Sequence, residues 1–169
     1  TFFPTPQEFF LAKGFKGYLS AEPEKIDLIK KQGIQNLCIL DFNSRLRKMS
    51  ADIFLKNIVK AFNPKVFIVG HNHCFGEDRK GDLGFLNKNR KRYSFETIKV
   101  DELIKKEIKI SSSRIRDFLS MGKIKNANTA LGKFYSLNGL VISGKGLGRE
   151  IGFPTANIAL KENKITPAN

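Results

Sequence analysis

Cysteine, histidine and long apolar runs are scarce in this sequence, and each scarcity excludes a class of protein. The 169 residues include two cysteines and two histidines. Two cysteines cannot build a disulfide framework, so we expect both to be reduced, as in the cytoplasm. No run approaches the roughly 18 apolar residues of a membrane-spanning helix, and no secretory signal is visible. We therefore expect a cytoplasmic protein that does not enter a membrane.

The few possible metal ligands do not predict a metal cluster. His71, His73 and Cys74 are close together, but a cluster of this kind needs a second pair of ligands elsewhere in the chain. The sequence has no further histidine, and Cys38 lies inside an apolar run, where we expect it to be buried.

Acidic residues are outnumbered by basic ones, 16 to 30, which gives a net charge of +14. This excess suggests an anionic partner. Nucleic acid is disfavoured, because the charges are spread along the chain apart from a cluster at 88–92 and no nucleic-acid motif accompanies them. Nucleotide substrates are anionic too. The 15 phenylalanines are sufficient for the core of one domain or of two small ones.

Helix and strand signals alternate in the first part of the chain. Apolar runs at 37–40 and 66–69 are typical of strands covered on both faces. Between them, Ser50 is placed to cap a helix whose large apolar residues recur at four-residue spacing until Pro64. This alternation predicts βαβ units in a parallel sheet, with ligands at the carboxyl ends of the strands.

The loop at 70–82 leaves the second predicted strand at such an end. Its glycines would let the backbone approach a ligand, and Asn72, Arg79 and Lys80 offer polar contacts. An ordinary flexible turn is the competing interpretation.

A helix start near residue 112 carries groups that suit an anion. The serines at 111–113 offer cap hydroxyls, and we expect the helix to begin at Ser111 or Ser112 and to stop at Gly122. Arg114 and Arg116 would then oppose the helix dipole in the first turn unless a phosphate binds there. The alternative is that both arginines are simply solvated.

The pattern changes after Gly132, where short strands and glycine turns predict a β domain. We place the boundary there, which gives domains 1–132 and 133–169. In the second domain, Thr155 and Asn157 would point the same way along an extended chain. The Thr155 hydroxyl and the Asn157 side-chain carbonyl are two neutral oxygens that suit a Mg²⁺ that keeps its waters. The competing interpretation is a hairpin whose turn contains Thr155 and Asn157.

Several of these motifs occur together in one known order. The chain resembles the bacterial bifunctional riboflavin kinase and FMN adenylyltransferase family, also called FAD synthetase. The resemblance rests on these motifs: Ile110-Ser111-Ser112-Ser113-Arg114-Ile115-Arg116, the loop from Val69-Gly70 through Phe75-Gly76 to Arg79-Lys80-Gly81-Asp82, Leu131-Gly132 with Tyr135-Ser136, and Gly152-Phe153-Pro154-Thr155-Ala156-Asn157.

The resemblance implies an α/β fold, with a Rossmann-like nucleotidyltransferase sheet at 1–132 and the start of a small kinase β-barrel at 133–169. In such enzymes the kinase makes FMN from riboflavin and ATP, and the other domain joins AMP to FMN, giving FAD and pyrophosphate. The resemblance implies ATP, Mg²⁺ and flavins as ligands.

The family's functional residues carry over by motif. Catalytic roles fall to Asn72, beside the flavin or the reacting phosphates, and to Arg116. The residues that would hold ATP phosphates in the first domain are Ser112, Ser113 and Arg116. Those that would lie against the kinase's phosphates are Gly144, Gly146, Gly148 and Arg149, and those that would bind Mg²⁺ are Thr155 and Asn157.

The chain also departs from the family pattern. It lacks the His-x-Gly-His loop for ATP, has Thr5 where a histidine is usual, and stops before the kinase carboxylate. We therefore expect a fragment of a longer parent that has both activities. The alternative is a non-catalytic, basic nucleotide or nucleic-acid binding module.

Overall fold

The computed structural model describes residues 1–105, 108–144, 147–150 and 152–168. Strands and helices alternate along much of the chain. The strands are β1 (Phe2–Phe3), β2 (Leu40–Asp41), β3 (Val66–Gly70), β4 (Glu96–Val100), β5 (Ile104–Lys105), β6 (Ile108–Lys109), β7 (Gly139–Ile142) and β8 (Asn157–Leu160). The helices are α1 (Pro6–Leu11), α2 (Glu22–Lys31), α3 (Ser44–Arg47), α4 (Ala51–Phe62), α5 (Leu83–Tyr93), α6 (Ser112–Ser120), α7 (Ile124–Leu131) and α8 (Leu147–Glu150).

Parallel pairing confirms the α/β class. β1 pairs with β2 and β3 pairs with β4, both in parallel, and α5 lies between β3 and β4 in the chain. β7 and β8 are antiparallel, as are β5 and β6. The β7–β8 pair is compatible with the start of a barrel, which stays a prediction.

The described residues form two compact units. The first unit comprises Thr1, Phe10–Cys38 and Ile110–Asn169, and the second comprises Phe2–Phe9 and Ile39–Lys109. The first unit therefore takes residues from both sides of the predicted boundary after Gly132. That boundary itself stays a prediction.

The second unit is built on the predicted helix between two strands. Ser50 caps α4 by accepting a hydrogen bond from the N–H of Ile53 at 3.3 Å, and Asn63 ends the helix in the left-handed conformation. Asp82 caps α5 in the same way, through the N–H of Phe85 at 2.7 Å. The core of this unit consists of Leu55, Val69, Leu86 and Phe95. The predicted cap and end of α4 are thus confirmed.

The predicted strands differ from the structure in their burial. Ile68 in β3 lies opposite Ile98 in β4, and these side chains are 67% and 49% exposed, so one face of the pair is open. At 37–40 only Leu40 belongs to a strand, and Cys38 is exposed rather than buried. An apolar run indicates a strand but does not say which faces other elements cover.

The first unit packs α6 and α7 together with a distant segment of the chain. Its buried cluster consists of Ile115, Leu119, Ala127 and Ile165. Ile165 donates its N–H to the carbonyl of Tyr18 at 3.1 Å, and Tyr18 donates its own to Asn163 at 2.6 Å. Gly17 precedes this pairing at φ +94°, and a Cβ there would lie 2.8 Å from the Asn163 carbonyl oxygen, so only glycine fits.

Among the described helices, none combines the length and the apolar character needed to cross a bilayer.

Candidate functional site

The helix start predicted near residue 112 is confirmed. Ser111 is the N-cap of α6, and its hydroxyl accepts a hydrogen bond from the N–H of Arg114 at 3.3 Å. Ser112 and Ser113 form the exposed start of the helix. Free amides and the positive end of the helix dipole meet at this turn, so it can receive an anion.

Arg116 lies deeper than the first turn in which the sequence placed it. It is the fifth residue of α6 and only 9% exposed, and its Nε donates to the carbonyl of Gly17 at 2.8 Å. Burial lowers the pKa of its guanidinium, although an arginine stays charged at neutral pH. Arg114 is exposed, with its guanidinium 5.7 Å from the ring centre of Phe118. Arg116 therefore has a structural partner besides any anion.

Asn72 lies in an exposed turn directly after β3. Gly70 pairs with Val100 in the parallel register, so the chain leaves β3 and β4 at the same edge. At this edge the Nε2 of His71 is 3.9 Å from Oε2 of Glu102, which also pairs with Lys109. Polar groups thus follow the carboxyl ends of the two strands, which is the edge of a parallel sheet where ligands usually bind.

The loop after Asn72 is held by backbone pairing. Phe75 and Gly81 exchange hydrogen bonds of 2.8 and 2.9 Å, and the Phe75 ring lies 5.2 Å from that of Phe54. Gly76 approaches α4 so closely that a Cβ would lie 2.7 Å from Cα of Ala51. Burial lowers the pKa of His73. In the described residues no three metal-ligating side chains of the histidine, cysteine or acidic type converge.

Asn72 belongs to the second unit, whereas Ser112, Ser113 and Arg116 belong to the first. Their meeting in one site stays a prediction.

Two glycine–polar pairs among the residues predicted for the kinase site are in contact in the first unit, and the site as a whole stays a prediction. A Cβ on Gly144 would collide with the side-chain amide of Asn157, and a Cβ on Gly148 would lie 3.1 Å from Oγ1 of Thr155. Gly148 and Arg149 lie in α8 rather than in a loop, and Gly146 lies outside the described residues. Thr155 and Asn157 are exposed. Both side chains carry a neutral oxygen, a ligand type that Mg²⁺ takes, and a Mg²⁺ site here stays a prediction.

The sequence did not indicate a buried polar cluster in the first unit. Lys164 Nζ lies 2.6 Å from Oε2 of Glu24, donates to the carbonyl of Leu19 at 2.8 Å, and sits 4.8 Å from the ring centre of Tyr135. The Tyr135 hydroxyl donates to the carbonyl of Ile165 at 2.7 Å, and burial raises the pKa of Tyr135 to about 12. The sequence carries one local signal for a member of this cluster, because Glu24 lies in the first turn of α2, where an acidic residue can cap the helix. Its Oε2 accepts a hydrogen bond from the N–H of Ala21 at 2.8 Å.

Two family models match the chain in order along its length. The model for FAD synthetase matches residues 1–114, and the model for riboflavin kinase matches residues 131–169.

Curated relatives carry both names. The chain is 37% identical over 164 residues to a bifunctional riboflavin kinase/FMN adenylyltransferase of Buchnera aphidicola subsp. Schizaphis graminum, covering 96% of this chain and 53% of that protein. The Escherichia coli K12 protein of the same name is 30% identical over 167 residues, covering 98% and 53%. The chain thus spans about half the length of the curated relatives it matches.

A solved structure shares the fold. It is a crystal structure of a macrolide-efflux protein from Streptococcus pneumoniae, with a TM-score of 0.76 and 33% identity, covering 89% of this chain and 48% of that one. Because the FAD synthetase model matches well over half of the 169 residues, this chain belongs to the FAD synthetase family.

Proposed function

We propose that the chain is part of a bifunctional enzyme of FAD biosynthesis. One activity phosphorylates riboflavin with ATP to give FMN, and the other transfers AMP from ATP to FMN. The observation that carries the proposal is the order of the two family matches in one chain, with an exposed, serine-capped helix start inside the first. These matches do not favour a non-catalytic basic binding module. A cytoplasmic location stays a prediction.

In the adenylyl transfer, an oxygen of the FMN phosphate attacks the α-phosphorus of ATP, and the bond to the β-phosphate oxygen breaks to release pyrophosphate. The protein's part is to position the phosphates and to neutralise their charge. Ser112 and Ser113 would donate hydrogen bonds from their backbone amides and hydroxyls at the start of α6. Arg116 uses its Nε for Gly17, so its terminal nitrogens would have to meet the phosphate. Asn72 would contact the flavin or the reacting phosphates.

In the kinase reaction, the ribityl hydroxyl of riboflavin attacks the γ-phosphorus of ATP, and ADP leaves. Gly144 and Gly148 would let the backbone of 144–149 approach the phosphates. Gly146 and Arg149 would lie against the same phosphates. The oxygens of Thr155 and Asn157 would hold Mg²⁺. Bound there, the ion would draw off phosphate charge in the transition state.

The test is a separate assay of each step in the longer protein that we expect to contain this chain. FAD formed from FMN and ATP, and FMN formed from riboflavin and ATP, are quantified by chromatography. The double variant Ser112→Ala/Ser113→Ala should slow the first step about tenfold or more and leave the second unchanged. Ser120→Ala is the matched control, because Ser120 ends the same helix and bonds only the carbonyl of Asp117 in the described structure. Absence of both products from the unaltered protein would overturn the proposal.

A further inference from the structure

The peptide group between Gly17 and Tyr18 is hydrogen-bonded at both ends. Its carbonyl, from Gly17, accepts the Nε–H of Arg116 at 2.8 Å. Its N–H, from Tyr18, donates to the carbonyl of Asn163 at 2.6 Å. The carbonyl and the N–H of a trans peptide lie in one plane and point in opposite directions. A rotation that breaks one of these bonds therefore weakens the other, so the orientation of this peptide group links Arg116 to Asn163.

Residues 163–165 hold this peptide group in one orientation. Besides the bond from the N–H of Tyr18, Ile165 donates its own N–H to the carbonyl of Tyr18 at 3.1 Å. Two consecutive peptide groups are thus bonded to the same short segment. The hydroxyl of Tyr135 donates to the carbonyl of Ile165 at 2.7 Å and anchors the segment to the chain that follows α7.

The end of the Arg116 side chain remains available to a ligand. The described residues give its guanidinium one hydrogen bond, through Nε. Within the same part of the chain, Oε1 of Glu24 is the single buried side-chain atom without a hydrogen-bond partner, so the terminal nitrogens of Arg116 are not sealed from solvent. Helical side chains lean toward the start of their helix, and Ser112 lies one turn before Arg116 on the same face of α6. We therefore expect the terminal nitrogens to face the proposed phosphate site.

The residues that hold Arg116 belong to both family matches. Gly17 and Tyr18 lie in the FAD synthetase match. Tyr135 and residues 163–165 lie in the riboflavin kinase match. We propose that residues 163–165, anchored by Tyr135, position the guanidinium of Arg116 for the phosphates in adenylyl transfer. Their hold passes through the peptide group between Gly17 and Tyr18. The inference rests on the proposed function, and it makes Tyr135 a positioning residue, because its hydroxyl acts through the segment rather than on the substrate.

The test measures FAD formation from FMN and ATP in the longer protein that we expect to contain this chain. Tyr135→Phe removes only the hydroxyl that bonds the segment, and it should lower kcat/KM of this step about two- to fivefold. Gly17→Ala adds a Cβ 2.8 Å from the carbonyl oxygen of Asn163, and it should lower kcat/KM about tenfold or more. Riboflavin phosphorylation should be nearly unchanged in both variants, although Tyr135 lies in the kinase match.

Two substitutions serve as matched controls. Gly14→Ala changes a glycine three residues before Gly17, and a Cβ at that position meets nothing within 4 Å. Tyr93→Phe removes a tyrosine hydroxyl at the end of α5, in the second unit. Both controls should keep the rate of FAD formation of the unaltered protein.

A double-mutant cycle with Arg116→Ala separates positioning from a general loss of structure. If Tyr135 and Gly17 act through Arg116, neither substitution should lower the rate further once Arg116 is replaced, whereas structural damage would add to the loss. Thermal melting verifies the folding of each variant, and the cycle with Tyr135→Phe decides alone if Gly17→Ala does not fold.

Three outcomes overturn the inference while leaving the proposed function in place. They are a rate of FAD formation that Arg116→Ala does not change, losses that add in the cycle, and a Tyr135→Phe variant that behaves as its control. Absence of FAD formation in the unaltered protein is a different outcome, because it overturns the proposed function and this inference with it.

Discussion

Glu24 and Lys164 are 140 residues apart in the sequence and form a buried ion pair, with Nζ 2.6 Å from Oε2. The side chain of Lys164 is 2% exposed and that of Glu24 is 11% exposed. The pair joins α2 to the segment after β8, next to the backbone pairing of Tyr18 with Ile165. A buried pair contributes little over a well-packed apolar substitute, but removing one partner leaves the other charge without compensation.

Lys164→Met should therefore lower the free energy of unfolding by about 3–5 kcal/mol. The matched control is Lys16→Met, because Lys16 pairs with Asp117 at 2.7 Å between side chains that are 60% and 44% exposed. That substitution should cost at most about 1 kcal/mol. Urea unfolding of both variants measures the difference, and equal losses would contradict a special role for the buried pair.

Stability should fall in acid through the same carboxylate. Burial alone would raise the pKa of Glu24, but the hydrogen bonds from Lys164 and from the N–H groups of Ala21 and Asn138, with the charge of Lys164, together lower this pKa below its usual value. A lowered folded-state pKa gives stability that is present above the unfolded value and is lost as the pH falls through the folded one. Melting temperatures at pH values below about 5 should show this loss. In Lys164→Met this acid loss should become smaller or disappear, because the hydrogen bond and the charge of Lys164 no longer lower the pKa of Glu24, and an identical pH profile in both proteins would argue against the assignment.

The three serines at the start of α6 should separate into one structural and two functional residues. Ser111→Ala should lower stability by about 1 kcal/mol, because it removes the cap on the Arg114 N–H. Ser112→Ala and Ser113→Ala should change stability by less than about 0.5 kcal/mol, since both residues are exposed inside the helix. Thermal unfolding of the three variants decides this. A larger loss in Ser112→Ala than in Ser111→Ala would show that the cap is misassigned.

Arg116→Ala should lower kcat/KM of adenylyl transfer about ten- to a hundredfold, because it would remove the charged donor that we propose for the phosphates. Riboflavin phosphorylation should be nearly unchanged. The variant also loses the bond from Nε to the Gly17 carbonyl, so its folding must be verified by thermal melting before the rates are compared. Arg114→Ala is the control on the same helix, since Arg114 is exposed. Equal losses in both steps would assign Arg116 a purely structural role.

Gly144→Ala should raise the Mg²⁺ concentration needed for riboflavin phosphorylation. A Cβ at this position would displace the amide of Asn157, which is proposed to hold the ion. Thr155→Ala and Asn157→Ala should act in the same direction. Gly14→Ala tests whether any glycine substitution has this effect, because Gly14 has nothing within 4 Å of its added Cβ and is not in the left-handed region. If the Mg²⁺ titration is unchanged in Gly144→Ala, Asn157 does not bind the ion.

Local signals in the sequence were sufficient for the start of α6 and for the cap of α4. In both cases one serine hydroxyl meets an N–H three residues later, so the information lies within a single turn. The inward direction of Arg116 could not be predicted, because its partner Gly17 is 99 residues away. The same holds for Lys164, which has no local feature that distinguishes it from a solvated lysine.

The exposure of the strand faces could not be predicted from the sequence, for a different reason. The runs at 37–40 and 66–69 are apolar throughout, and a continuous apolar run does not record how many neighbours cover it. Ile68 thus belongs to a run that predicts a buried strand, but it lies with its partner Ile98 on an open face. At the candidate kinase site the residue types could be predicted from the sequence. The close approach of Gly144 to Asn157 could not, because it depends on how the chain brings two residues 13 positions apart together.

The interrupted first unit has a consequence for the protein during its synthesis. A ribosome delivers the chain from its amino end, and domains fold as their residues emerge. All residues of the second unit are available once Lys109 has emerged. The first unit must wait for Lys164 and Ile165, because one neutralises Glu24 and the other completes the cluster around Leu119. The nascent chain therefore completes its second unit first, and residues 10–38 wait without their native core until Lys164 and Ile165 have emerged.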